Sequence, residues 1–222
     1  MPENKTTQED NRPADLSDKI GISEIKEIMK ITGKIRGISL KGEIKYILDK
    51  KKEEGVRAFE KETEKLGYLI EYKKIKETEW YPVGLRMVSI SAMFSVFNWG
   101  RAELAEIAES LPKISFIMKF FMKYFTSKEK ILRKAATKIW KRYYNVGSLE
   151  AVDFKETKKD GYAILRIKNF KLHPLYCFFL GHFFIGVIKL ADPRIRETTV
   201  EEIKCMFRGD KFHEYLIKWV YK

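Results

Sequence analysis

Four residues in the second half of the chain have the side chains that hold a metal ion: Cys177, Glu202, Cys205 and His213. Thiolate sulfur, imidazole nitrogen and carboxylate oxygen are donors that zinc takes in tetrahedral arrangement. They come from a small stock, since the 222 residues include 2 cysteines and 3 histidines. The spacing Glu202-x2-Cys205-x7-His213 falls in a closing segment that reads as a β-hairpin, with two alternating runs divided by the turn residues Arg208, Gly209, Asp210 and Lys211. Strand parity decides whether the donors meet. Ile203, Cys205 and Phe207 share one face of a regular strand, as do His213, Tyr215, Ile217 and Trp219. A three-residue turn at Gly209 to Lys211 sets Phe207 opposite His213, with Cys205 a diagonal neighbour of His213 roughly 7–8 Å away at Cα. A two-residue turn at Gly209-Asp210 puts them on opposite faces. Glu202 points outward on a regular strand, so it needs a bulge, or Glu201 takes its place. The plainer alternative makes Cys177 and Cys205 small buried hydrophobes and His213 a hairpin residue.

A second set of residues is spaced to line a cavity. Met87, Ile90, Met93, Phe94 and Phe97 recur at helical spacing, and so do Ile117, Phe120, Phe121 and Tyr124. Ordinary core packing accounts for both stripes. The functional alternative is a pocket for a hydrophobic or aromatic ligand, walled by Ile90, Phe94, Phe97, Ile117 and Phe121, with Trp80, Arg86, Tyr144 or His182 as polar groups. His173 reads as the residue that leads into a helix at Pro174. There is no nucleophile elbow, phosphate-cradling glycine loop or dinucleotide fingerprint. The carboxylates sit mostly in Lys/Glu-rich helices, so the expectation is a protein that is not an enzyme.

These residues must be positioned by a fold of modest size. The length suits one domain with a sizeable core, taken as residues 19–222 after a disordered tail at residues 1–18. The net charge of +13 invites a nucleic-acid reading, but most lysines alternate with glutamates along helices, as in Glu60-Lys-Glu-Thr-Glu-Lys65. That is a solvated face, and nucleic acid is disfavoured. Two cysteines make no disulfide framework, and the polar first residues make no signal peptide, so the expected compartment is the cytoplasm. The longest apolar run, Leu175 to Leu190, is interrupted by Gly181, His182, Gly186 and Lys189 and is shorter than the ~20 residues of a membrane span.

Periodicity predicts helices over residues 23–30, 41–66, 85–96, 101–111 (stopped by Pro112), 114–125, 128–144 and 174–190. A short strand is expected at Ile35 to Ser39 and an extended segment at Tyr68 to Ile75. Hairpins are expected at Leu149 to Lys168, turning at Lys158-Lys-Asp-Gly161, and at the C-terminus. The order gives an α+β fold, a helical block on a small antiparallel sheet, with a hairpin-helix-hairpin C-terminal half. The helix from Pro174 is apolar nearly all round, which sandwiches it between sheet and helices, and Gly181 and Gly186 permit close approach there.

From Lys128 onward the chain resembles a superfamily of small-molecule-binding domains: the vinyl-reductase-type sensor domains, the haem nitric-oxide-binding domains and the TRAPP transport-particle subunits. The residues that carry the likeness are Trp140-Lys-Arg-Tyr-Tyr144, Asn145-Val-Gly147, His173-Pro-Leu-Tyr-Cys177, Gly181-x4-Gly186 and the closing Glu202-Ile-Lys-Cys205-x3-Gly209-Asp210-x2-His213. Within the group the chain looks most like an uncharacterised family first noted in myxobacteria, a likeness that reaches back to Ile35-Arg-Gly-Ile-Ser-Leu40 and Trp80-Tyr-Pro82. The resemblance implies a ligand-sensing fold with a hydrophobic pocket, often dimeric. In aromatic-sensing relatives cysteines and a glutamate hold zinc, which carries over to Cys177, Glu202 and Cys205, with His213 where a third cysteine often stands. The Tyr-x-Ser-x-Arg signature of the haem branch is missing from Tyr143-Tyr-Asn-Val-Gly147, so haem is disfavoured. The expected function is a non-catalytic sensor or binding module for a small hydrophobic ligand, with a structural zinc, working through a homodimer or partner protein. The alternatives are a scaffold or tethering protein and, third, an enzyme acting on a hydrophobic or tetrapyrrole substrate.

Overall fold

The computed structural model describes residues 20–115, 118–120, 128–130, 132 and 136–222. The expected tail at residues 1–18 lies outside these, as does most of the stretch 116–135. The first half is helical. Helix α1 (Ile22–Met29) buries Ile25 and Ile28. Strand β1 (Lys34–Arg36) pairs antiparallel with β2 (Trp80–Pro82), with Ile35 opposite Tyr81. The strand expected to reach Ser39 is cut short because α2 (Gly37–Lys65) starts at Gly37. Only glycine fits there: a Cβ would lie 2.2 Å from the carbonyl oxygen of Lys76. The segment expected to be extended over Tyr68 to Ile75 contains a 3-10 turn at Tyr72–Lys74.

Helix α2 is broken at Lys52 (φ 58°, ψ −167°). Ile44 and Ile47 are buried before the break, and Val56 and Phe59 after it. At about 100° per residue, Ile47 and Val56 would lie on opposite faces of a straight helix. The break turns both stripes toward one core. Helix α3 (Leu85–Phe97) follows, with every residue from Arg86 to Phe94 buried. Helix α4 (Arg101–Ile114) runs through Pro112 instead of stopping there. In the last turn a proline forfeits a single backbone bond, which the helix tolerates. Helix α5 (Ala136–Tyr143) turns Ala136, Ile139, Trp140 and Tyr143 inward.

The second half supplies the sheet. Strands β3 (Ser148–Glu156) and β4 (Asp160–Lys168) form a hairpin, and β5 (Ile195–Lys204) and β6 (His213–Tyr221) complete the antiparallel order β3-β4-β6-β5. Asp160 and Gly161, read from sequence as turn residues, belong to β4, where Gly161 faces Glu156. Gly161 is required by the Trp219 indole, whose ring would be 2.5 Å from a Cβ. Thr137 Oγ1 donates to the Leu149 carbonyl at 2.8 Å and ties α5 to β3.

Helix α6 (Pro174–Ala191) links the two hairpins and lies between the sheet and α4. Pro174 sits where its missing N–H is harmless, and His173 Nδ1 accepts the Leu175 N–H at 3.1 Å. At Gly186 the backbones of α6 and α4 approach so closely that a Cβ would lie 2.4 Å from the Glu109 oxygen. By length and composition α6 could cross a membrane, but 61% of it is buried inside the fold, as in a core helix. The architecture is α+β, with the helices packed on small antiparallel sheets.

Candidate metal centre and ligand cavity

The closing strands do not meet through a tight turn. Their last paired residues are Lys204 and Glu214, and the connection carries a 3-10 turn at Met206–Arg208 followed by Gly209 at φ 94°. Neither the two-residue nor the three-residue turn considered from sequence is formed, so Cys205 lies just outside the ladder. Asp210 folds back and accepts the Cys205 N–H at 2.8 Å, which fixes the loop. The bulge that Glu202 requires is present: Glu202 faces Tyr215 and Lys204 faces Glu214, leaving Ile203 unpaired. Glu201 is exposed. One donor atom from each of Cys177, Glu202, Cys205 and His213 lies within 4.8 Å of all the others. Donors around a tetrahedral zinc stand roughly 3.3–3.8 Å apart, so a small contraction closes this set on an ion.

The surroundings orient the donors. His213 Nε2 lies 3.1 Å from the Phe170 carbonyl, which accepts its N–H and leaves Nδ1 to face the cluster. That Nδ1 is 2.9 Å from Glu202 Oε1 and 3.7 Å from Cys177 Sγ. Tyr215 donates to the Cys177 carbonyl at 3.2 Å, holding the first turn of α6 against β6. The thiol of Cys205 is pulled down to about 3 by hydrogen bonds from Cys177 and His213, against the opposing effect of burial. Cys177, which keeps its proton for that bond, is pushed up. Burial alone would lower His213, but Cys205 and Glu202 together raise it to about 9. Burial raises Glu202. Without metal, these shifts favour a Cys205 thiolate beside a protonated His213.

A cavity of about 160 Å³ lies farther along α6. Phe179, Leu180, Phe183 and Phe184 of α6, Ile139 and Tyr143 of α5, Leu111 and Ile114 of α4, and Ile38 and Gly42 of α2 line it. Its size is close to that of an apolar cavity that takes a single benzene ring, ~150 Å³. Arg86 and Tyr144, both anticipated as polar groups, are in its wall. Arg86 is 1% exposed; its Nη1 lies 2.7 Å from Glu43 Oε1 and donates to the Ser39 carbonyl at 3.2 Å. Glu43 Oε2 accepts from Ser89 at 2.8 Å. The hydroxyls of Tyr144 and Tyr176 bond each other, as do those of Ser115 and Tyr143.

The other residues anticipated for the pocket are placed elsewhere. Trp80 is in β2 under the Arg36 guanidinium at 3.9 Å. Ile90 and Phe94 are core, and Phe97 packs on Trp99 with ring centroids 4.6 Å apart. His182 Nδ1 lies 3.0 Å from Glu109 Oε1. Ile117 and Phe121 lie outside the described residues. Most of the wall was not anticipated: α2 supplies Ile38, Ser39, Lys41, Gly42 and Lys45, α6 four residues and α5 three. Apolar character on every side of α6 was the available signal, since a helix with no polar face can serve a sheet and a cavity at once.

No family model and no curated protein sequence matches this chain. Solved structures do. An H-NOX protein from S. oneidensis in the Fe(II)NO ligation state aligns with 83% of this chain and 99% of its own, at 11% identity and TM-score 0.61. An oxygen-binding H-NOX domain related to soluble guanylate cyclases aligns with 85% and 95%, at 14% identity and TM-score 0.56. A structure probing haem distortion in the H-NOX family aligns with the same shares, at 15% identity and TM-score 0.54. The fold is what is shared at such identities. These structures support the haem nitric-oxide-binding part of the resemblance and not its vinyl-reductase or transport-particle parts. They also correct the expectation that haem is disfavoured, because haem proteins are built on this fold. Of the side chains that serve haem iron as axial ligands, the described cavity wall offers tyrosine hydroxyls, from Tyr72, Tyr143 and Tyr144.

Proposed function

We propose that residues 19–222 form a single non-catalytic module that binds a small hydrophobic molecule in the α5–α6 cavity, with a metal ion clasping the N-terminal turn of α6 to the closing strands. The observation that carries this reading is the division of labour along α6: Cys177 belongs to the four-donor cluster, and Phe179 to Phe184 wall the cavity. Zinc suits the donor set, with two sulfurs, one nitrogen and one oxygen in a half-buried pocket.

Elemental analysis and native mass spectrometry of protein purified without chelator test both parts. About one equivalent of zinc, reduced severalfold in Cys205→Ser, and a co-purifying apolar molecule are expected. Protein with less than about a tenth of an equivalent, and with unchanged stability in the variant, would remove the clasp from the proposal.

The fold likeness favours a second reading, a haem-dependent sensor. Haem would supply an iron that takes a diatomic gas; it needs far more room than one benzene ring, so the cavity would have to widen before its tyrosines could serve as protein ligands. Hemin titration decides it: a stoichiometric Soret shift that Tyr143→Phe or Tyr144→Phe alters supports haem, and an unshifted free-hemin spectrum refutes it.

A further inference from the structure

The polar end of the cavity is unusual in its chemistry. Arg86 is wholly buried in α3, lines the cavity, and finds no hydrogen-bond acceptor for its Nε–H among the described residues. Nη1 meets Glu43 and the Ser39 carbonyl, the Tyr176 hydroxyl also hydrogen-bonds the guanidinium, and the guanidinium lies over the rings of Phe179 at 4.6 Å and Tyr176 at 5.4 Å. A guanidinium has donors and no acceptor, so the open position calls for an oxygen or nitrogen that accepts. Buried donors are rarely left unpaired, and an orphan beside a cavity is a place where a ligand completes the pairing.

The charge at this end is already balanced. Glu43 is fully buried, lies 2.7 Å from Arg86, and is held by Ser89 on its other oxygen. A carboxylate or phosphate ligand would place a second negative charge beside that pair in mostly apolar surroundings, with no second buried cation among the described wall residues to meet it. Lys41 and Lys45 also line the cavity, but both are partly or fully exposed and belong to its rim. The tyrosine hydroxyls nearest the guanidinium are engaged with each other.

We infer that the cavity selects an uncharged, ring-sized apolar molecule bearing a carbonyl oxygen, which accepts the Arg86 Nε–H while its ring packs on Phe179 and Leu180. This rests on the cavity being the ligand site, and it adds the ligand's polar chemistry. Specificity follows from the orphan donor. A hydrocarbon of the same shape leaves Nε–H unpaired, and an anion disrupts the Arg86–Glu43 balance.

Three probes of nearly equal size separate these cases in direct titrations of the full chain: acetophenone, ethylbenzene and benzoate. Acetophenone should bind about tenfold or more tighter than ethylbenzene, in the range expected for a hydrogen bond from a charged donor, and benzoate should bind weakest. Replacing Arg86 alone would strand a buried carboxylate, so the matching variant is the double change Arg86→Met with Glu43→Met, which removes both charges at similar volume. In it the preference for acetophenone should fall to within about threefold, with ethylbenzene still bound. Equal binding of acetophenone and ethylbenzene, tightest binding of benzoate, or a preference that survives the double change each overturns the inference and leaves the cavity as a ligand site. Binding of none of the three overturns the cavity reading itself.

Discussion

The proton balance at the four-donor cluster would set how it takes the proposed metal ion. Between the lowered Cys205 thiol and the raised His213 imidazolium, near-neutral protein holds protons on Cys177 and His213 and none on Cys205. A bound ion needs Cys177 as thiolate and His213 Nδ1 free, so two protons leave when it binds. Zinc affinity should therefore rise with pH by up to ~100-fold per unit below about 9, and by about tenfold per unit once His213 has lost its proton. Competition titrations against a chelator at several pH values check this, and a pH-independent affinity would contradict it. In the metal-free protein the same pair acts on stability with opposite signs. Cys205, lowered to about 3, contributes stability that is lost as pH falls. His213, raised to about 9, contributes stability that is lost as pH rises from its unfolded value of 6.5. The two slopes cancel between those limits, leaving this pair's contribution nearly flat there.

At the scale of elements, α6 is held at two points of different tightness. Gly186 meets the α4 backbone at Glu109, where a Cβ would be 2.4 Å from the carbonyl oxygen, and backbone cannot yield cheaply. A Cβ added at Gly181 would lie 3.4 Å from Val200 of β5, an ordinary contact. Gly186→Ala should lower stability by about 1–3 kcal/mol in urea unfolding, as overpacking does. Gly181→Ala should be neutral or raise stability by up to about 1 kcal/mol, because alanine is the better helix former. The break in α2 is the other strained element. Lys52 holds backbone angles that glycine adopts freely, so Lys52→Gly should stabilise by roughly 1 kcal/mol despite the loss of a side chain. A straightened, less stable helix in that variant would show that the break is not a relief of opposing apolar stripes.

For the whole molecule, α6 touches the cluster, the cavity and the sheet, with Tyr176 and Phe179, which flank Cys177 in sequence, stacked on each other. Removing the ion should free the first turn of α6 and loosen the cavity wall behind it. Chelation should lower the thermal midpoint by several degrees and weaken acetophenone binding severalfold, with both effects reversed by zinc. Loss of stability without any change in ligand affinity would separate the clasp from the cavity. Much of this was legible in the chain. The α+β order, the four side chains that carry candidate metal-donor atoms and the sandwiched helix follow from residue types and periods of 2 and 3.6, which are local properties. The membership of the cavity was not legible: Arg86 and Tyr144 were anticipated, but Phe179, Leu180, Phe183 and Tyr143 look like any core residues until α5 and α6 are brought together. The same holds for Glu43, whose carboxylate sits in a Lys/Glu-rich helix and gains its buried partners only when Arg86 and Ser89 arrive from α3. The bulge at Ile203, the eight-residue loop that carries Cys205 and the break at Lys52 were also left to tertiary structure. Amino-acid order alone determined which side chains could do chemistry and which local elements carry them. Packing between distant segments decided which of them meet, because burial and pairing energies arise only once those segments share a core.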